Sequence, residues 1–204
     1  MKDELKQAIL AKNFSIVFIR HGRTPWSLDQ LMDGPKSFPL TEQGIKETEI
    51  MAEKFQSLFK DCVVLYASPL ERTMQSATIY QYHTGLPITI VDGIQERCYG
   101  DYSTLSRDEV DQGVKPDDQE VDEIFESRVM NAIAEVIQAH NDHSTIALVS
   151  HSGVFKFFSE WLSGEIQKLD FSELSVFHPD PENKTYTLKI YGLSDDPKSS
   201  AKLS

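Results

Sequence analysis

Cysteine is nearly missing from this 204-residue chain, basic charge is scarce, and no apolar run approaches the length of a membrane span. The two cysteines, Cys62 beside an apparent buried strand and Cys98 in a loop, read as unpaired thiols. Twenty Lys and Arg stand against 32 Asp and Glu, a net charge of −12. Nucleic acid and anionic membrane surfaces favour a basic footprint, so neither is expected as a partner. An anionic ligand must therefore be drawn by local arginines against the global field. The segment Met1-Lys2-Asp3-Glu4-Leu5-Lys6 lacks the apolar core of a signal peptide, which makes cytoplasmic residence the expectation. There is no internal repeat, no low-complexity block, and no Walker or dinucleotide-type glycine spacing. His140 and His143 have i, i+3 spacing at the end of a long helix, but no third ligand is suggested nearby. They read as imidazolium groups complementing the helix dipole, and no metal site is expected.

What is present is a set of three apolar runs, each ending abruptly in polar chemistry. Residues 16–19 lead into Arg20-His21-Gly22; Val63-Val64-Leu65-Tyr66-Ala67 leads into Ser68-Pro69-Leu70-Glu71-Arg72; Thr145-Ile146-Ala147-Leu148-Val149 leads into Ser150-His151-Ser152-Gly153. Continuous apolar runs of this length suit buried strands, and open α/β sheets bind ligands at the carboxyl ends of their strands. An imidazole can act as nucleophile, a guanidinium fork matches phosphate, and Gly22 lets the backbone approach a bound group closely. The second run predicts a helix with Ser68 at its N-cap and Pro69 first, placing Arg72 in the first turn, where the helix dipole adds to its charge. Helices are predicted over residues 1–12, 42–60 and 70–84, the last ending near Gly85, with a short strand from Ile88 to Val91. A long helix carries Val121, Ile124, Phe125, Val129, Ala132, Ile133, Val136 and Ile137 at helical spacing. Leu174–Phe177 and Tyr186–Tyr191 should pair as a hairpin. The length fits one α/β domain over 1–192, large enough for a sheet covered on both faces, followed by a polar, disordered tail over 193–204.

The same motifs, in this order, resemble the histidine phosphatase superfamily, in the branch that also holds the cofactor-dependent phosphoglycerate mutases. The resemblance covers most of the chain. Arg20 to Ser27 is similar to the family's leading Arg-His-Gly-x-Thr-x-Trp-Asn/Ser, and Pro39-Leu40-Thr41-Glu42-Gln43-Gly44 to its Pro-Leu-Thr-x-x-Gly. Ser68 to Thr73 resembles its second arginine motif, Glu96-Arg97-Cys98-Tyr99-Gly100 its acid-bearing loop, and Val149 to Gly153 its second histidine motif. The resemblance implies a three-layer α/β/α sandwich with a mostly parallel central sheet and a small cap segment, about 97–118, over the C-terminal strand ends. It implies that His21 attacks phosphorus to give a phosphohistidine while Arg20, Arg72 and His151 hold the phosphoryl oxygens, and that Glu96 protonates the leaving alkoxide and then activates water. Thr24, Ser27, Tyr99, Arg107 and Ser152 are the implied substrate-binding residues. Neither a metal nor another cofactor is required.

Three departures from the family pattern bear on function. Arg23 stands where Glu or Gln is usual, and either strengthens anion binding or pairs with a surface carboxylate. Ser27 replaces a frequent Asn, and Cys98 replaces a His common in the mutases. The cap is short and acidic, without the adjacent arginine pair of the mutases, although Arg107 falls near a substrate-binding Lys. The expectation is a metal-independent phosphomonoester hydrolase acting on a small anionic phosphoester, with a slight lean toward sugar phosphates. The alternatives are phosphoglycerate mutase-type transfer and a non-catalytic module binding phosphorylated ligands. The motifs leave the oligomeric state open.

Overall fold

Side-chain alternation along the innermost strands decides the architecture. The computed structural model describes residues 2–28, 36–100, 106–114, 116, 119–140 and 145–195. In chain order the elements are α1 (Lys2–Lys12), β1 (Ser15–Arg20), α2 (Pro25–Leu28), α3 (Glu42–Lys54), β2 (Cys62–Ala67), α4 (Glu71–Thr84), β3 (Ile88–Ile90), α5 (Arg107–Asp111), α6 (Asp122–Gln138), β4 (Thr145–Ser150), α7 (Ser152–Ser163), β5 (Leu174–Asp180) and β6 (Thr185–Tyr191). Short 3-10 turns occupy Gln56–Phe59 and Asp92–Ile94. Ile16 and Phe18 of β1 join Ile146 and Leu148 of β4 in a core shared with α1, α6 and α7. The intervening Val17, Ile19, Ala147 and Val149 face a second core built with α3 and α4. A strand places alternate residues on opposite faces, so strands apolar at every position must be covered twice. The result is the expected three-layer sandwich.

The six strands run in the order β3-β2-β4-β1-β5-β6. The first four are mutually parallel, and β5 and β6 form the expected hairpin, laid antiparallel against β1. In the central pair, Arg20 is in register with Ser150, so β1 and β4 end at the same level and deliver His21 and His151 side by side.

Several local expectations differ from what is seen. The helix expected over 42–60 stops at Lys54 and tightens into the 3-10 turn, which turns Phe55 onto Tyr191 and Phe59 onto Tyr80. Helix α4 starts two residues later than predicted, with Leu70 at its N-cap; the Ser68 hydroxyl lies 2.8 Å from His151 Nε2 and accepts only a long 3.5 Å contact from the Leu70 N–H. Arg72 remains in its first turn and Gly85 ends it. His140 is not an exposed imidazolium: it is buried, its Nε2 lies 2.7 Å from the Tyr66 hydroxyl, and burial together with nearby Lys12 lowers its pKa. His143 lies outside the described residues. Part of the aperiodic cap is helical, since Ser106 and Glu109 form a reciprocal capping box that starts α5. Cap residues 101–105, 115, 117 and 118 lie outside the described residues, as does the predicted tail beyond 195. Before that point the chain is anchored: Lys54 Nζ donates to the Leu193 carbonyl at 2.7 Å. Cys62 and Cys98 are both free. Among the described residues no helix is long and apolar enough to cross a membrane.

Candidate active site

The strand ends bring Arg20, His21, Arg72 and His151 together at one point. His21 follows β1 directly, its backbone N–H donating to the Ser150 carbonyl at 3.1 Å, and its ring centroid lies 5.2 Å from that of His151. Its Nδ1 is 2.8 Å from the Gly22 carbonyl, which can only accept, so Nδ1 carries the proton. The lone pair is thereby left on Nε2, where the Arg72 Nε–H donates at 3.3 Å. Burial lowers the His21 pKa well below 6.5, and the adjacent Arg72 and Arg20 guanidiniums lower it further. His151 is depressed by the same causes, burial first. Its Nε2 is 2.8 Å from Ser68 Oγ, while its buried Nδ1 has no hydrogen-bond partner among the described residues. A buried polar atom of this kind is one that a ligand oxygen would satisfy.

The two arginines are held by backbone. Arg72 is fully buried and its Nη1 donates to the Lys36 carbonyl at 2.6 Å. Arg20 donates from Nη1 to the Leu169 carbonyl at 2.6 Å and lies 3.7 Å over the Phe171 ring, a close cation–π contact. Phe171 also sits 5.7 Å from the His21 ring. Neither Leu169 nor Phe171 belongs to a periodic pattern, and nothing in the sequence drew attention to them.

Gly22 approaches protein rather than an empty pocket. A Cβ there would come within 2.7 Å of Thr48 Oγ1 and 2.8 Å of the Gly44 carbonyl, and a Cβ on Gly44 would in turn strike the Arg23 backbone. The Arg-His-Gly and Pro-Leu-Thr-x-x-Gly motifs are thus two sides of one backbone contact, in which α3 presses against the turn at residues 20–22. The Gly22 N–H donates to Ser76 Oγ at 3.1 Å, tying the same turn to α4.

Glu96 is buried beside this cluster, accepting from the backbone N–H of Arg97 on Oε1 (2.9 Å) and from that of Gly153 on Oε2 (3.1 Å). Gly153 lies in the first turn of α7, so the carboxylate rests against a helix N-terminus. Together with Arg20 and His21 it lines a cleft of about 940 Å³ that also contains Ser27, Tyr99 and Ser152. Val110 and Asp111 of α5 border the same cleft.

The remaining predicted residues fall variously. Thr24 is buried, and its Oγ1 accepts from the Ser27 N–H at 3.2 Å while the Ser27 hydroxyl donates to the Thr24 carbonyl at 2.7 Å. Arg107 opens α5, but its side chain lies outside the described residues. Arg23 pairs with a carboxylate of α3, its Nε 3.0 and 3.2 Å from the two oxygens of Glu47, which is buried rather than at the surface. Lys156 and Lys168 line the cleft and went unnoticed in the sequence. Lys156 was findable, being one helical turn beyond Ser152 on α7.

The fold and the sequence both have counterparts among known proteins. Residues 16–191 match the histidine phosphatase superfamily (branch 1), and the chain belongs to that family. A Bacillus subtilis protein named as an uncharacterized phosphatase, PhoE, is 27% identical over 164 residues, covering 78% of this chain and 83% of its own length. A 2,3-bisphosphoglycerate-dependent phosphoglycerate mutase from Bartonella quintana is 33% identical over 101 residues, covering 48% of this chain and 49% of the mutase. Among solved structures, a mycobacterial glucosyl-3-phosphoglycerate phosphatase superposes with a TM-score of 0.73 at 17% identity, covering 86% of this chain and 96% of that one, a likeness of fold.

Proposed function

We propose that the chain is a phosphomonoester hydrolase working through a phosphohistidine on His21. The observation that carries the reading is the state of that ring: neutral, with its Nδ1 proton fixed on Gly22 and its Nε2 lone pair beside two guanidiniums. An in-line attack by Nε2 forms the N–P bond as the ester P–O bond breaks. Arg72 now donates to that nitrogen; a phosphoryl group would draw its guanidinium, with Arg20 and His151, onto the non-bridging oxygens, where charge develops. Glu96 delivers a proton to the leaving alkoxide and then takes one from the water that hydrolyses the phosphoenzyme.

Hydrolysis rather than mutase transfer is supported by the span of the phosphatase likeness, against about half of the mutase. The substrate class follows from charge. Beyond Arg20, the described lining of the cleft holds six carboxylates and three cations. A second phosphate in such a cleft would face net like charge at low dielectric, so a monophosphate with an uncharged, hydroxyl-rich leaving group, such as a sugar monophosphate, is favoured over a bisphosphate.

The test is phosphate release from sugar monophosphates, phosphoglycerates and an aryl phosphate in EDTA, with His21→Ala as control and rapid-quench detection of the labelled protein. Release that needs His21 and ranks sugar monophosphates first is the expected result. Near-normal turnover by His21→Ala would refute the mechanism; isomerised phosphoglycerate without free phosphate would establish the mutase reading; no labelling and no turnover would leave a binding module.

A further inference from the structure

The segment that carries Glu96 belongs to no helix or strand, yet it is gripped at almost every residue. The Ile94 carbonyl accepts from Ser150 Oγ at 2.7 Å. The carbonyls on either side, of Gly93 and Gln95, both accept from Arg128 Nη1, at 2.9 and 3.1 Å. The rest of that guanidinium forms a bidentate pair with Glu120, Nε to Oε1 and Nη2 to Oε2, each at 2.9 Å. Glu120 closes the circuit from the other side of Glu96: its Oε2 accepts from the Cys98 N–H at 3.2 Å, and its own N–H donates to the Cys98 carbonyl at 2.9 Å. Arg128 comes from α6, and neither it nor Glu120 lines the cleft.

We propose that Arg128 and Glu120 form a positioning pair that sets where the Glu96 carboxylate meets the leaving oxygen. The proposal rests on the reading of Glu96 as the acid. The fork geometry explains why the residue is Arg: four donor contacts in two directions are met by one planar group, and a lysine ammonium, with three donors on a flexible stem, cannot hold two carbonyls and both carboxylate oxygens at once. Proton transfer is sensitive to sub-ångström placement, whereas the phosphate pocket has its own anchors at Leu169, Lys36 and Gly22. Loosening the pair should therefore damage the two proton transfers made by Glu96 and spare phosphate binding; in the phosphorylation step only a leaving group that needs an acid should feel it.

The experiment compares Arg128→Lys, Glu120→Gln and Glu96→Gln on an alkyl phosphate, whose leaving group needs protonation, and an aryl phosphate, whose leaving group hardly does. The readout is the pre-steady-state rate of His21 phosphorylation, which separates the acid step from the water-activating step shared by all esters. Arg128→Lys is expected to slow the alkyl ester about 10- to 100-fold, with substrate affinity and the aryl-ester rate within about 3-fold of the parent. Glu120→Gln, which keeps the guanidinium on its carbonyls, should show the same selectivity to a smaller degree and stands in if Arg128→Lys does not fold. Adding Arg128→Lys to Glu96→Gln should cost little more on the alkyl ester, because both act through one proton. Equal losses on both esters in the Arg128 and Glu120 variants, with Glu96→Gln still selective, would overturn the positioning role and leave the acid in place. Equal losses in Glu96→Gln itself would overturn both.

Discussion

Replacing Gly153 with alanine should uncouple stability from catalysis. A Cβ at this position would lie 3.2 Å from Cδ of Glu96 and overlap its Oε1, whereas ordinary contact begins near 3.4 Å. Something must give, and the cheapest movement is at the far end of the Glu96 side chain. Gly153 sits within α7, so alanine is accepted by the backbone and gains up to about 1 kcal/mol in helix propensity. The carboxylate, displaced by roughly 1 Å, should lose on the order of 100-fold in proton delivery, equivalent to about 2.7 kcal/mol in the barrier. The assay pairs thermal unfolding with the rate of His21 phosphorylation by alkyl and aryl phosphates, the step in which only the alkyl leaving group needs the acid. Unchanged or raised Tm, a large alkyl-ester loss and a nearly intact aryl-ester rate are expected. An alkyl-ester phosphorylation rate within about 3-fold of the parent would refute the placement of the acid. A lowered Tm with equal losses would show that α7 moved instead of the side chain.

Two further predictions concern charge. His21 and His151 have folded pKa values held well below 6.5, so the unfolded chain binds protons there that the folded chain refuses. Stability contributed by these rings is therefore fully present above about 6.5 and lost as pH falls toward their folded values, at up to about 1.4 kcal/mol per pH unit for each. Urea midpoints between pH 7.5 and 5 should fall with pH and flatten in His151→Asn; a flat parent curve would contradict buried neutral imidazoles. Arg23→Gln should cost no more than about 1 kcal/mol, because the pair is partly exposed and Glu47 keeps its 2.8 Å bond from Gln43. Its KM should stay within about 3-fold, and a 10-fold rise would put Arg23 at the substrate.

The catalytic end of the site was legible because it is written locally. An apolar run ending in Arg20-His21, and another ending in His151, each announce a buried strand and a polar terminus within ten residues. The run before Ser68 placed Arg72 beside them in the same way, and the resemblance to a family added Glu96. What escaped reading depends on contacts between distant segments. Ser68 has every local feature of an N-cap, yet its hydroxyl lies against His151 Nε2 and the N-cap falls at Leu70. Phe171 and the Leu169 carbonyl restrain Arg20 from a loop with no periodicity. Glu120 and Arg128 are eight residues apart, outside the three- and four-residue spacings that mark helical pairs, and Glu120 precedes the helix altogether. His140 misled for the same reason: a helix-end histidine looks exposed until Tyr66 closes over it.

The registration of Arg20 with Ser150 makes the gap between the two histidines a property of the sheet itself, one inter-strand spacing of about 4.8 Å. Between those strands the chain builds one wall of the cleft, with lining residues between 27 and 126, and α7 with the loop carrying Lys168 and Phe171 builds the other. Insertions in that stretch between the strands can remodel the leaving-group end without touching the spacing, while a single-residue slip inside β4 would turn its side chains to the opposite face. The two ends of the cleft are thus held by different means: the histidine spacing by a hydrogen-bond ladder that tolerates no change of count, the opposite end by helices and loops whose length the ladder does not fix.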